Sequence, residues 1–582
     1  MSPRRRETAA HATRVVPFME RRIFLAIILA ALVMYGWQVF FMPAPPPRPA
    51  ASATTTGSSK PAPTPPVAPT PAEAPAPVTA PAVRAVKSEP AEREIRVETS
   101  VAEVVLSNRG GRVLHWRLKD YHIPSGQLVD LIPANAPADQ PGPFLLRVDD
   151  GQMTQRLNDA LYQVSGDNGG KVDATSAPQT VVFEYEDASG LHARKELRFD
   201  PRNFVVVFSA DVRSGATALK PAVHWGPGLG DIGATPSGGT FFTGSRVQPP
   251  EAIYHRDGKV NRLKFESLGS QPAHEGQFRF GGIDDHYFIA AVLNTDYARL
   301  EYRPVTVPNV SDPSRPTQLI AASFRFRDPV RDVRFYVGPK QFDLLRAADP
   351  EMVRAINFGM FAWMVVPLLS ALKWLYGFLG NYGWAIILLT VLLNLVLFYP
   401  RHRSVVAMRK MQAIQPEIKA IQDRYAHLKA TDPAKQKMNT EIMNLYRERG
   451  VNPASGCVPM LLTMPVLLAF YSLLSMSIEL RGAPFLGWVH DLSAPDPYFV
   501  IPLLMGITMF WQQKITPTAA DPTQQRVMMI MPVMFTAMMA FSPSGVVLYW
   551  TVSQLWAIGQ QYLTNQLIGP PALATVRRSS KR

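Results

Sequence analysis

Residues 382–400 read YGWAIILLTVLLNLVLFYP, an apolar run whose interior is interrupted only by Thr390 and Asn394. A bilayer span needs about 17–25 such residues, so this is a membrane segment. Runs of the same kind follow at 457–478, 498–515, 527–542 and 545–566, and one precedes it at 23–42. Their interior polar side chains are mainly Thr, Asn, Ser, Gln and Tyr. Ion pathways carry carboxylates at membrane depth, so this pattern suits a greasy groove for polypeptide better than an ion path.

The chain has 582 residues, 47% of them hydrophobic, with 54 prolines, one cysteine and a net charge of +14. Its apolar residues are gathered into membrane-length blocks, which excludes a single soluble globule. Much of the positive charge flanks the apolar runs, and no aromatic pattern for RNA accompanies it, so no specific nucleic-acid sequence is expected as a partner. Arg4, Arg5, Arg6, Arg21 and Arg22 precede the run at 23–42, while Arg401, Arg409 and Lys410 open the basic segment 401–455. Such flanks stay in the cytoplasm. The topology follows by alternation: a cytoplasmic N-terminus 1–22, an uncleaved signal-anchor span 23–42, an exported region, five further spans, and a basic cytoplasmic tail 567–582. The lone Cys457 leaves the exported region without a disulfide.

Residues 43–92 are rich in Pro, Ala and Thr, a composition that cannot bury a core and forms a tether reaching roughly 40 Å. From 93 to 345 short alternating runs such as Val181-Val182-Phe183-Glu184-Tyr185 are separated by Gly, Asn, Asp and Pro, which predicts an all-β sandwich. His274-Glu275 lacks the second histidine of a metalloprotease, since position 278 is Phe. Asp284-Asp285-His286 could hold a metal but reads better as a polar turn. No metal, cofactor or enzymatic chemistry is expected. Segment 357–378 is apolar but carries Pro367, Lys373 and interfacial aromatics, which predicts an amphipathic helix on the outer membrane surface.

In segment 401–455, Met411, Ile414, Ile418 and Ile421 recur at spacings of three and four, the seam of a helical hairpin. Thr431-Asp432-Pro433 breaks it, and Pro416 kinks or restarts its first helix. The bland reading is a spacer; the functional one is a cytoplasmic docking arm. Within the spans, Thr390 and Asn394, Thr508 and Gln512, and Tyr549 and Ser553 are each four apart and share a helix face. Taken alone, such pairs are better explained by interhelical hydrogen bonding than by a hydrated concavity. Methionines crowd the later spans, where they can adapt to varied partners or simply fill gaps.

Asn381-Tyr382-Gly383-Trp384, Met408-Arg409-Lys410-Met411-Gln412, Val451-Asn452-Pro453, Gly456-Cys457-Val458-Pro459, Glu479-Leu480-Arg481-Gly482 and Ser542-Pro543-Ser544-Gly545 resemble the YidC/Oxa/Alb membrane protein insertase family. The resemblance extends to the Gram-negative form, through the anchor, the tether and the β domain with Asn108-Arg109-Gly110-Gly111. It implies a six-span protein of the inner membrane with a five-helix core and a periplasmic β domain. Its activity would be an insertase and chaperone for nascent membrane proteins, working alone or with the Sec translocon, with ribosomes or targeting factors at the cytoplasmic face. The resemblance places a hydrophilic groove at Thr390, Asn394, Thr508, Gln512, Tyr549, Trp550 and Ser553. Asn394 stands where the family's groove carries a cation, and Arg401, two turns on, is a candidate replacement. Trp550 stands where a second tyrosine is usual, and residues 1–18 look like an extension. A secondary transporter or an envelope carbohydrate-acting protein are the alternatives; inverted repeats and midplane ion ligands are not seen.

Overall fold

The computed structural model describes residues 84–568 except 124, 135, 137–139, 231–247, 271, 309–315, 426–433, 451–457 and 516–521. The N-terminal segment, the anchor, most of the tether, Thr431-Asp432-Pro433, Cys457 and the tail from 569 lie outside the described residues.

The β domain has two sheets. In the smaller, Glu94–Glu98, Ala102–Ser107, Arg112–His122 and Leu128–Asp130 run as an antiparallel meander, and Lys171–Asp173 adds in parallel beside Glu94–Glu98. The larger has 14 strands among the described residues. Strand Leu191–Phe199 shows why a sheet forms: Leu191, Ala193, Lys195, Leu197 and Phe199 are buried while their neighbours are not, the period of a pleated strand with one face in a core. It pairs with Gln179–Asp187 on one side and Val205–Ser214 on the other. Phe288–Val307 organises the far half, pairing with Ala273–Asp284 along one edge and with Val330–Pro339 and Thr317–Phe326 in succession along the other.

Aromatic rings join the two sheets. Trp116 of the smaller sheet meets Trp225 edge-on at 6.3 Å, and Phe144 packs against Trp225 at 5.7 Å and Phe335 at 5.2 Å. A buried ring of this size removes about 150–250 Å² from water, worth about 4–6 kcal/mol at about 25 cal/mol per Å². Lys195 is a lysine buried inside this core. Its Nζ donates to the carbonyls of Gly110 at 2.5 Å and Phe144 at 2.9 Å, tying the large sheet to a hairpin of the small one. Burial pushes its amine down to about 7. Gly110 and Gly111 turn that hairpin at φ +67° and +57°, and a Cβ at Gly110 would lie 2.5 Å from the Asn158 carbonyl oxygen.

The tether ends earlier than its composition predicts. Ala85–Lys87 is a strand against Gln179–Asp187, and Glu89 accepts bonds from Arg93, Asn108 and the Val164 amide. From 84 onward charged residues join the Pro and Ala, and among them Lys87 pairs with Glu184 of the larger sheet.

The helices are α1 (Gly151–Asp159), α2 (Phe342–Ala348), α3 (Ala362–Leu379), α4 (Tyr382–Val396), α5 (Phe398–Ala413), α6 (Gln415–Arg424), α7 (Ala434–Glu448), α8 (Val458–Met476), α9 (Val500–Ile515), α10 (Pro522–Met539) and α11 (Ser544–Ile568). Helices α4 and α8 to α11 fall on the five apolar runs of the C-terminal part. The run 382–400 is not one straight helix: α4 ends at Val396 and α5 leaves at 55°. Pro400 has no N–H for the Val396 carbonyl and its ring crowds that oxygen, which places the break there. Among the described residues, this bent pair and Gly359–Leu379 have the length and hydropathy of a span. On α3, Val365, Leu368, Leu369, Leu372 and Leu375 are buried against α4 and α8, while Trp363, Trp374 and Phe378 face outward.

The β domain sits on the helices through a few specific contacts. Asp285 accepts from the amides of Tyr287 and Phe288, so Asp284-Asp285-His286 is the polar turn its sequence suggested. His286 Nε2 donates to the Ser475 carbonyl of α8 at 2.9 Å, and the Arg481 guanidinium lies 5.0 Å from the Tyr287 ring centre.

Candidate functional site

Helix α4 is held at its start by Asn381, whose Oδ1 accepts from the Trp384 amide and whose Nδ2 donates to the Pro484 carbonyl. Gly383 lies flat under Phe485; a Cβ there would fall 2.0 Å from the ring. With its end pinned, α4 presents Thr390 and Asn394 to the helix bundle, 0% and 4% exposed. Their side-chain donors stay within the helix rather than crossing to another. Thr390 Oγ1 donates to Ile386 O at 2.6 Å, and Asn394 Nδ2 donates to Thr390 O at 2.8 Å, both within α4.

Asn394 Oδ1 is taken by Arg401. The guanidinium Nη1 donates to it at 2.6 Å, reaching back across the bend from α5. A positive charge therefore sits at the Asn394 position although the residue itself is neutral. It also lies within electrostatic reach of Tyr549 on α11. The sequence offers Arg401 both as part of the docking hairpin and as a replacement for the cation absent at Asn394; the structure brings it to Asn394 on α4.

The other predicted groove residues divide. Thr508 is buried on α9, its hydroxyl donating to Met505 O at 2.8 Å, and Gln512 one turn on is half-exposed. Helix α11 packs along α9 and α4, which brings Tyr549, Trp550 and Ser553 to the same bundle. The Tyr549 ring stacks on Phe470 of α8 at 4.2 Å, and Trp550 packs on Phe535 of α10 at 4.8 Å. Beside these rings lies an apolar cavity of about 50 Å³, bounded by Leu467 and Tyr471 on α8, Phe535 and Met539 on α10, and Tyr549 and Trp550 on α11. One side of the site is thus polar and positive, the other greasy.

The hairpin seam forms as its spacing predicts. Ile414 and Ile418 are buried with Met411 around them and Ile442, Leu445 and Tyr446 of α7 opposite; Ile421 is buried further along. Pro416 stands in the first turn of α6, where the chain restarts after Ile414. Arg424 and Tyr425 bind Glu441 at 3.0 and 2.7 Å, and Arg449 binds Glu417 at 2.7 Å. Lys410 is exposed, but Arg409 turns inward to Asn565. The sequence reading missed this last group. His402 Nδ1 lies 3.3 Å from Thr564 Oγ1 and Gln560 Nε2 donates to Phe398 O at 3.1 Å, so the end of α11 grips the root of the hairpin. The signal was the polar set Gln560, Gln561, Thr564 and Asn565 on successive turns of the last span.

Residues 94–371 match the family described as YidC periplasmic domain, and residues 374–570 the family described as 60Kd inner membrane protein. The membrane protein insertase YidC of Oleidesulfovibrio alaskensis is 34% identical over 93% of this chain and 98% of its own length. The chain belongs to the YidC family of membrane protein insertases. The YidC of Geobacter metallireducens is 33% identical, covering 94% of this chain and 99% of that protein. A crystal structure of an active YidC insertase with its first transmembrane domain resolved aligns over 83% of this chain and 94% of that one, at 18% identity and a TM-score of 0.33. Members of the YidC family are inner-membrane proteins with a periplasmic domain that act on nascent membrane proteins without enzymatic chemistry. The β sandwich is that periplasmic domain.

Proposed function

We infer that a nascent hydrophobic segment inserts along α4 and α11 while its polar flank rests at Thr390, Asn394 and Arg401. The part-buried Arg401–Asn394 bond carries this reading, since it supports a positive, hydrogen-bonding patch beside the buried Asn394 in an otherwise apolar bundle. A backbone group without a partner in hydrocarbon costs several kcal/mol. A patch that bonds the flank lowers that barrier, and a cation favours flanks bearing carboxylates. Thr508, Gln512, Tyr549, Trp550 and Ser553 complete the groove, with the Tyr549–Trp550 cavity receiving apolar side chains.

In this reading the chain crosses the inner membrane six times, with both termini in the cytoplasm and α3 lying on the periplasmic surface. The hairpin docks ribosomes or targeting factors through exposed cations such as Lys410, and Sec translocon components bind alongside. The positive flanks at 1–22 and 401–455 support this orientation. The test is the full chain, purified and reconstituted in vesicles, with a single-span client bearing a short acidic tail. Protease protection of that tail should require the protein and should fall with Arg401→Gln. Equal protection with wild type and with the variant would refute the role of the patch.

A further inference from the structure

On α11, Trp550 Nε1, Ser553 Oγ and Trp556 Nε1 are buried and have no hydrogen-bond partner among the described residues. Ser553 faces the Tyr549 hydroxyl one turn up, without the geometry of a bond. The three recur every third position, so they share an arc of about 120° and advance along the axis in steps of about 4.5 Å. Further down the same side, Gln560 donates to the Phe398 carbonyl and Thr564 meets His402. Where α5 lies against this face its polar groups are matched; nearer the cavity that Trp550 borders they are not.

Buried donors without acceptors strongly favour any state that supplies them. A row of them asks for an occupant with acceptors at intervals. A lipid carries carbonyls only at its ester end, and a free anion calls for charge that an indole, a hydroxyl and an indole do not provide. A polypeptide has a carbonyl on every residue, and the last turn of a helix leaves four of them unpaired.

We propose that Trp550, Ser553 and Trp556 form a donor row that binds the unpaired backbone carbonyls of a client segment during insertion. This rests on the groove reading above and names the part of the client that α11 recognises. The donors are covered in the resting protein, so they are offered only when an incoming segment parts α11 from its neighbours. The cavity beside Trp550 gives the indole room to turn.

The test replaces Trp550 and Trp556 with 3-benzothienylalanine, which keeps the ring shape and puts sulfur where the N–H was, and combines this with Ser553→Ala. The full chain is studied in vesicles. No bond of the resting fold is lost, so the melting temperature should hold or rise, while client insertion slows about two- to tenfold for each donor removed. A fall in melting temperature with insertion unchanged would overturn the proposal, because the donors would then serve the resting fold. Ether-linked lipids, which lack the ester carbonyl, provide a second arm. If changing ester for ether lipid shifts the wild-type melting temperature and the donor variants abolish that shift, the occupant is lipid and the proposal fails. Arg401→Gln, assayed in parallel, should slow insertion whatever the donor row does, so the two ideas fail separately.

Discussion

Moving the charge of the proposed groove from Arg401 to position 394 separates the need for a cation from the need for this particular residue. Arg401→Gln removes the guanidinium that bonds Asn394 Oδ1 at 2.6 Å. A hydrogen bond to a charged group is worth about 1.5–3 kcal/mol, and the half-exposure of Arg401 favours the lower figure. At 1.4 kcal/mol per decade, insertion should slow about tenfold. Asn394→Arg alone should be at least as harmful. It would set two guanidiniums at hydrogen-bonding distance, a repulsion of up to about 4 kcal/mol at an effective dielectric of about 20. Joined with Arg401→Gln, the same substitution becomes a relocation: one cation remains, at the neighbouring position, and the glutamine amide introduced at position 401 can still accept or donate. The double variant should recover to within about threefold of wild type. The assay is the initial rate of tail protection for one client, with equal protein per vesicle. A double variant as slow as the product of the two singles would show that the residues act independently and would refute the patch as a shared site.

Two further outcomes follow from features away from the groove. Ile414→Asp with Ile418→Asp puts unpaired charge into the small core that α6 shares with α7, a cost of several kcal/mol; cross-linking of the hairpin to cytosolic partners should be lost, and unchanged cross-linking would make the hairpin a spacer. Lys195 should give the β domain a stability that rises with pH: burial pushes its pKa from 10.5 to about 7, so between those values the folded state holds fewer protons than the unfolded one, and the rise is absent below about pH 7. Thermal unfolding of Lys195→Met at pH 6 and pH 9 should lack that increment, which between pH 7 and pH 9 is of order 3 kcal/mol at about 1.36 kcal/mol per pH unit.

The apolar helices of the C-terminal part and the hairpin were legible because hydropathy and periodicity report them directly. Thr390 and Asn394 share a face by arithmetic, and Met411, Ile414 and Ile418 mark a seam whatever their neighbours are. Arg401 was legible only as a guess, since seven residues return to the same side of a straight helix. The helix breaks between them, and the length of the arginine side chain closes the gap. Strand order was not legible: Lys171–Asp173 finds Glu94–Glu98 across a long separation, and alternation says which face is buried but not which strand lies beside it. The grip of α11 on α5 was missed because Gln, Asn and Thr near a span end read as ordinary interface residues. The unpartnered donors of α11 depend on what surrounds them, which no local pattern records.

The break at Leu397 makes the place of the Arg401 charge depend on the direction of α5. Arg401 stands about 6 Å along α5 from the break, on the far side from Asn394. A swing of about 20° in α5 would carry its backbone by about 2 Å, enough to part a hydrogen bond of 2.6 Å. Helix α5 carries Arg401 near its start and Met411 of the hairpin seam near its end. Any force that turned the hairpin about this break would therefore also move the guanidinium that Asn394 holds.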